Sequence, residues 1–103
     1  MKIIKEISEM IEDELGGAKH YIEKALHCKD ENPALARVFY EISLQEMNHV
    51  NMLHGEVTKI IEQHRKEHGE PPAPMMAVYN YLHEKHIDKA NRIKVYQAQY
   101  RGE

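Results

Sequence analysis

The sequence predicts an all-α protein: an antiparallel helical hairpin followed by a third long helix. Three observations carry this. The chain has only two strong breaks, at Asp30-Glu31-Asn32-Pro33 and at Gly69-Glu70-Pro71-Pro72-Ala73-Pro74. Apolar residues between the breaks recur at steps of three and four, the spacing that lines one face of a helix. No stretch shows the period-two alternation of a half-buried strand. The breaks leave three segments of roughly 2–29, 33–68 and 74–100, read as one domain over 1–103.

The first helix carries its stripe at Ile4, Ile7, Ile11, position 14, Ala18, Tyr21 and Ala25. Gly16-Gly17 interrupts it, weakening helix propensity but allowing a close approach or a local bend. The second helix opens at Asn32-Pro33, an N-cap residue followed by proline at the first helical position. Its stripe runs Leu35, Val38, Ile42, position 46, position 49, Leu53, Val57 and Ile60, and Gly69 with the prolines beyond it marks the stop. The third stripe runs Met75, Tyr79, Leu82, His86, Ala90 and Ile93, then Tyr96 or Gln97, and Tyr100. A connection this short near residue 30 makes the first two helices antiparallel neighbours.

Composition excludes several classes. At 103 residues the chain is long enough for one modest core. Hydrophobic residues are 42% and charged residues 30%, the balance of a globular domain rather than a disordered one. Apolar runs are too short for a transmembrane helix or a signal-peptide core, and the chain begins inside a helical pattern, so neither a membrane nor a cleaved leader is expected. The net charge of −3, with no long basic run, argues against a nucleic-acid partner. The single cysteine, Cys28, excludes an intrachain disulfide framework and a Cys₄ site, and the expected compartment is the reducing cytoplasm. Trp is absent and Phe occurs once, so aliphatic side chains and tyrosine must fill the core.

Three stripe positions are not apolar. Position 14 is Glu, position 46 is Glu and position 49 is His. A carboxylate buried without compensation costs several kcal/mol (~3–5 once its partner is removed), so something must offset it. In a hairpin centred near residue 30.5, Glu14 and Glu46 both lie about 23–25 Å from the turn at roughly 1.5 Å per residue. Glu14, Glu46 and His49 therefore converge at one height. Glu46-x-x-His49 alone is weak evidence, since fourteen Glu and eight His make about one such motif a chance event. Its placement beside Glu14 gives it weight. A metal cluster explains the convergence; a buried Glu–His ion pair that satisfies only itself is the alternative. Carboxylate oxygen with imidazole and no thiolate suits iron or manganese and tolerates zinc.

The stretch Glu14-Leu15-Gly16-Gly17-Ala18-Lys19-His20-Tyr21, followed by Glu46-Met47-Asn48-His49, resembles the first half of a ferritin-like di-iron carboxylate domain of the rubrerythrin type. The likeness covers residues 1 to about 66. The full set in such bundles is four Glu and two His; one chain here supplies two Glu and one His, half of it, and a two-fold dimer would restore the whole. The resemblance implies that Glu14, Glu46 and His49 ligate iron, two ions per dimer site, with Glu46 bridging, and that a ferritin-like four-helix bundle is completed by dimerisation into a homodimer or a higher homo-oligomer. It implies ferroxidase-like oxidation of ferrous iron by oxygen or peroxide, or a rubrerythrin-like reduction of peroxide. A non-catalytic helical assembly module with a buried Glu/His network is the third reading. The third helix offers Glu84, His83 and His86 but no second E-x-x-H, and rubredoxin-type C-x-x-C pairs are absent. The closer likeness is to half-length encapsulated ferritins, although the tail Tyr96–Glu103 does not resemble an encapsulin-targeting peptide, so an encapsulin shell is not supported.

The remaining candidates have plainer readings. Tyr21 is a core residue with a possible supporting role beside the metal. His64 and His68, and His27, sit where imidazolium meets the negative end of a helix. His86 reads as a hydrogen-bonded core histidine, Cys28 as an ordinary thiol at a helix end, and the methionines as gap-filling core residues.

Overall fold

The computed structural model describes residues 2–103. Three helices follow one another: α1 (Lys2–Cys28), α2 (Pro33–His68) and α3 (Ala73–Arg101). Each end falls within one residue of the break that predicts it. There is no strand among the described residues, and none of their helices is long and apolar enough to cross a membrane.

Local chemistry sets the boundaries. Asn32 caps α2, its side-chain oxygen accepting from the Leu35 N–H at 3.2 Å, and Pro33 supplies a preset φ where no N–H is needed. Gly69 closes α2 at φ +80°, a left-handed conformation that costs glycine little. Pro71 and Pro72 then forbid continuation until α3 begins.

α1 and α2 form the antiparallel hairpin, and α3 returns along α1, touching α2 at few points. The molecule is a rod of 56 × 20 × 18 Å. The end of α3 is pinned at the hairpin turn. There Tyr100 stacks on Tyr40 with ring centroids 4.4 Å apart, Lys29 donates to the Tyr100 carbonyl at 2.6 Å, and Arg101 donates to the Tyr40 hydroxyl at 2.9 Å.

The α1 core keeps its expected stripe except at positions 14 and 21, whereas the α2 core runs beside the expected stripe over most of its length. On α1 the buried positions are Ile4, Ile7, Ile11, Leu15, Ala18, Ile22 and Ala25. Leu15 and Ile22 thus take the places expected for positions 14 and 21, and Tyr21 is only half-buried. On α2 the buried stripe is Ala36, Tyr40, Ser43, Met47, Val50, Val57 and Ile61. Of the expected stripe Val57 is buried, while positions 35, 38, 42, 46, 49, 53 and 60 lie beside the buried one and are exposed or half-buried. Both helices carry two adjacent apolar stripes, and periodicity within one helix does not say which of them meets the partner. The stripes that meet are those with small residues: Ala18, Ala25, Ala36 and Ser43 are fully buried and let the backbones approach. The α3 stripe keeps its expected phase, with His86, Ile93 and Gln97 buried and Ala90 half-buried.

One buried polar knot ties all three helices. The Ser43 hydroxyl donates to the Ala18 carbonyl at 2.8 Å and accepts from the Gln97 amide at 3.0 Å. No buried side-chain nitrogen or oxygen is left without a partner among the described residues.

Candidate metal centre

Glu14, Glu46 and His49 do meet. Each offers one ligand atom, and the three atoms lie within 4.8 Å of one another. His49 Nδ1 stands 3.3 Å from Glu14 Oε2. No other group of three or more His, Cys, Asp or Glu side chains among the described residues is gathered this closely.

The cluster is not buried within one chain. The His49 side chain is 52% exposed and that of Glu14 29%, because both sit on the outer stripe rather than in the hairpin core. The expectation of three titratable groups sealed inside the hairpin is therefore corrected. They lie on its outer face, among exposed apolar residues. Ile3 and Met10 on α1 share the face of Glu14 by helical spacing, and Leu35, Val38 and Met52 on α2 flank Glu46 and His49; all five are exposed.

Gly17 makes room for the cluster. A β-carbon at this position would stand 3.3 Å from both Cδ and Oε2 of Glu46, tighter than an ordinary contact. Gly16, by contrast, has nothing within 4 Å of such a β-carbon. The glycine that matters is the one facing Glu46, and it acts as a cradle rather than as a bend. The sequence signal was available in part, since Gly17 follows Glu14 by three residues and shares its face.

The two carboxyls behave as one proton-sharing pair. Glu46 is held above the ordinary carboxylate range, first by its hydrogen bond to Glu14, then by burial and the Glu14 charge. Glu14 is held below that range, first by the hydrogen bond from Glu46 and, against the opposing effect of burial, by the hydrogen bond and charge of His49. Close carboxylates disfavour each other's ionisation, so of the two Glu46 is the one that holds a proton to higher pH. A cation would compete with that proton. Two carboxylates and an imidazole form a hard-to-intermediate donor set that fits iron or manganese and tolerates zinc. Three ligands leave positions open on the outward side.

The other candidates fall elsewhere. Tyr21 lies two turns from Glu14, and its ring meets Phe39 at 5.9 Å and His20 at 5.5 Å rather than the ligands. His64 and His68 approach one another at 5.2 Å near the end of α2. Cys28 is a half-buried free thiol. His86 is buried, its Nε2 standing 3.0 Å from Glu12 Oε2, an ion-pair distance. Sequence reasoning did not anticipate Glu12 or His54 beside it. Those contacts depend on how α3 lies across the hairpin, which no local pattern encodes.

Compared with protein-family models, curated proteins and solved structures, the chain matches none.

Proposed function

We propose that this protein is a non-haem di-iron carboxylate protein whose centre is shared between two copies of the chain and oxidises ferrous iron with oxygen or peroxide. The observation that carries the reading is the convergence of Glu14, Glu46 and His49 within 4.8 Å on an outer face. Three ligands are half of a four-Glu, two-His set. The exposed apolar residues around them, Met10, Leu35, Val38 and Met52, are what a second hairpin would cover. A two-fold axis passing by the cluster duplicates every ligand and seals the apolar rim around it.

In this reading Glu14 and His49 would hold iron on the side of each chain, with Glu46 as the expected bridging carboxylate. Gly17 leaves room for that carboxylate, since a β-carbon there would stand 3.3 Å from its Cδ and Oε2. The partner's apolar stripe excludes bulk water and so strengthens the charge interactions at the site. Iron, when bound, supplies the electrons that reduce oxygen or peroxide.

Anaerobic ferrous titration combined with light scattering tests the proposal. One iron per chain is expected, with the mass of a dimer or a larger even assembly, followed by faster iron oxidation than in buffer when oxidant is added. Oxidation by peroxide but not by oxygen would point to the rubrerythrin-like reading. A protein that neither binds iron nor changes its melting temperature with it is a helical assembly module with a Glu/His network, and the di-iron proposal then fails.

A further inference from the structure

The first half of α3 sits loosely on α1. No residue of α3 before His86 is buried, whereas Ile93 and Gln97 beyond it are. Between the opening turns of α1 and this half of α3 lies a cavity of about 450 Å³. Ile4 on α1 and Val78, Tyr79 and Leu82 on α3 form its apolar wall, and no acidic side chain lines it. Val78 is 60% exposed there. Lys5, which also lines the cavity, and Glu14 are nine residues apart on α1, about half a turn round the helix. The cavity and the Glu14/Glu46/His49 cluster therefore open on opposite sides of α1.

Two lysines make this cavity electrically one-sided. Lys2 and Lys5 line it and are exposed; side chains of this kind lay an apolar stem along the wall and keep the ammonium in water. Neither ammonium has an ion-pair or hydrogen-bond partner among the described residues, in a chain whose net charge is −3. Tyr79, the titratable group of the apolar wall, is pushed by burial above its ordinary value of 10.0 and brings no charge. An apolar wall that ends on two unpaired cations is complementary to an apolar body carrying an anion. Size narrows the occupant further. A helix with its side chains is about 10–12 Å across, so a space of 450 Å³ holds little more than one turn of a partner helix. A bare alkyl chain fits it lengthwise.

We propose that the cavity between α1 and α3 binds a soluble single-chain amphiphile with an anionic head, an alkyl carboxylate, with its carboxylate at Lys2 and Lys5 and its chain along Ile4, Val78 and Leu82. Covering Val78 and filling the space beneath the front of α3 removes apolar surface from water, which supplies most of the affinity. The two ammoniums orient the chain and select the sign of its head, a contribution that salt weakens because both are exposed. Ser8 and Tyr79 also line the adjoining cavity of about 280 Å³, so a longer chain has space to extend toward Ile87. The site is independent of the iron centre.

Calorimetric titration of the chain, without added iron, with octanoate, decanoate and dodecanoate below their micelle concentrations is the test. One carboxylate per chain should bind, about fourfold tighter for each added methylene until the cavity is full. Lys2→Ala and Lys5→Ala together should weaken it about fivefold, and an alkyl trimethylammonium of equal length should bind more weakly by at least as much. Val78→Glu should weaken it at least about tenfold by setting a second carboxylate against the chain, whereas Val95→Glu, at a position equally exposed on the same helix, and Glu14→Ala should change nothing. The unaltered chain supplies a second readout: decanoate should shift the methyl NMR signals of Ile4, Val78 and Leu82. Equal binding of the trimethylammonium, equal losses in Val78→Glu and Val95→Glu, shifts confined to Ile3 and Met10 on the outer face, or adsorption to anionic vesicles without binding of the monomeric carboxylates would each overturn the proposal.

Discussion

Gly17 lies against the carboxyl group of Glu46, so that a β-carbon there would stand only 3.3 Å from its Cδ and Oε2. Gly17→Ala should therefore separate stability from binding. Alanine favours the helix by roughly 1 kcal/mol, and the half-exposed Glu46 side chain can retreat by a few tenths of an ångström. The metal-free protein should melt at the same temperature or higher, while ferrous affinity falls about tenfold because a displaced ligand cannot hold its position. Gly16→Ala should stabilise similarly and leave affinity unchanged. Melting curves and iron titrations of the two variants decide the point.

Glu46→Ala and His49→Ala should each remove most iron binding, whereas His64→Ala and His68→Ala should leave it intact. The first two belong to the gathered ligand group; the second two meet only each other and Glu67 near the end of α2. Equal losses in both pairs, measured by ferrous titration, would show that another cluster holds the iron.

In the acid range where Glu46 is protonated, metal uptake should release its proton. Its carboxyl is held above the ordinary value of 4.5 by Glu14. The protonated form therefore stabilises the metal-free fold below that value, and this contribution is lost as pH rises through the raised one. Affinity for iron should fall as pH drops across the same window, since the cation competes with the proton. Calorimetry in buffers of different ionisation enthalpy measures the release. In Glu14→Leu the hydrogen bond and charge that raise Glu46 are gone, and a carboxyl NMR titration should find Glu46 closer to its ordinary range.

Ser43→Ala should destabilise the chain by about 1–3 kcal/mol, the cost of leaving buried polar partners unsatisfied. Ser43 is fully buried and serves the Ala18 carbonyl and the Gln97 amide together. Urea denaturation would show a lower midpoint with an unchanged slope. An unchanged midpoint would mean that the knot follows the packing of α3 and does not secure it.

Acid should loosen the packing of α3 on the hairpin. His54 and His86 are both held below the ordinary histidine value of 6.5, chiefly by burial. Below 6.5 the unfolded chain takes up protons that the folded chain resists, so stability declines as pH falls from 6.5 toward the lowered values. The groups facing this pair are Glu12 on α1 and His83, Lys89 and Lys94 on α3; burial first, and then the neighbouring imidazoles, set the direction. His54→Gln should flatten the slope of stability against pH in that window, followed by chemical denaturation at a series of pH values.

The helices were legible in the sequence because their signals are local. Asn32-Pro33 starts α2 through a side-chain cap and a fixed φ, Gly69 stops it through a left-handed residue, and the three-and-four spacing excludes strands. The convergence of Glu14, Glu46 and His49 was legible as well, because an antiparallel hairpin with a short turn fixes height from residue number alone. What the hairpin buries was legible on α1 apart from positions 14 and 21, and not on most of α2. Leu15 and Glu14 are neighbours on adjacent stripes, as are Met47 and Glu46, and only the pairing of two helices chooses between them. The choice went to the faces carrying Ala18, Ala25, Ala36 and Ser43, which bring the backbones close and leave the ligand face outside. The His54–His83 stack and the Glu12–His86 contact lay further out of reach. They join residues from all three helices through the placement of α3, and long-range packing of that kind leaves no periodic trace in the chain.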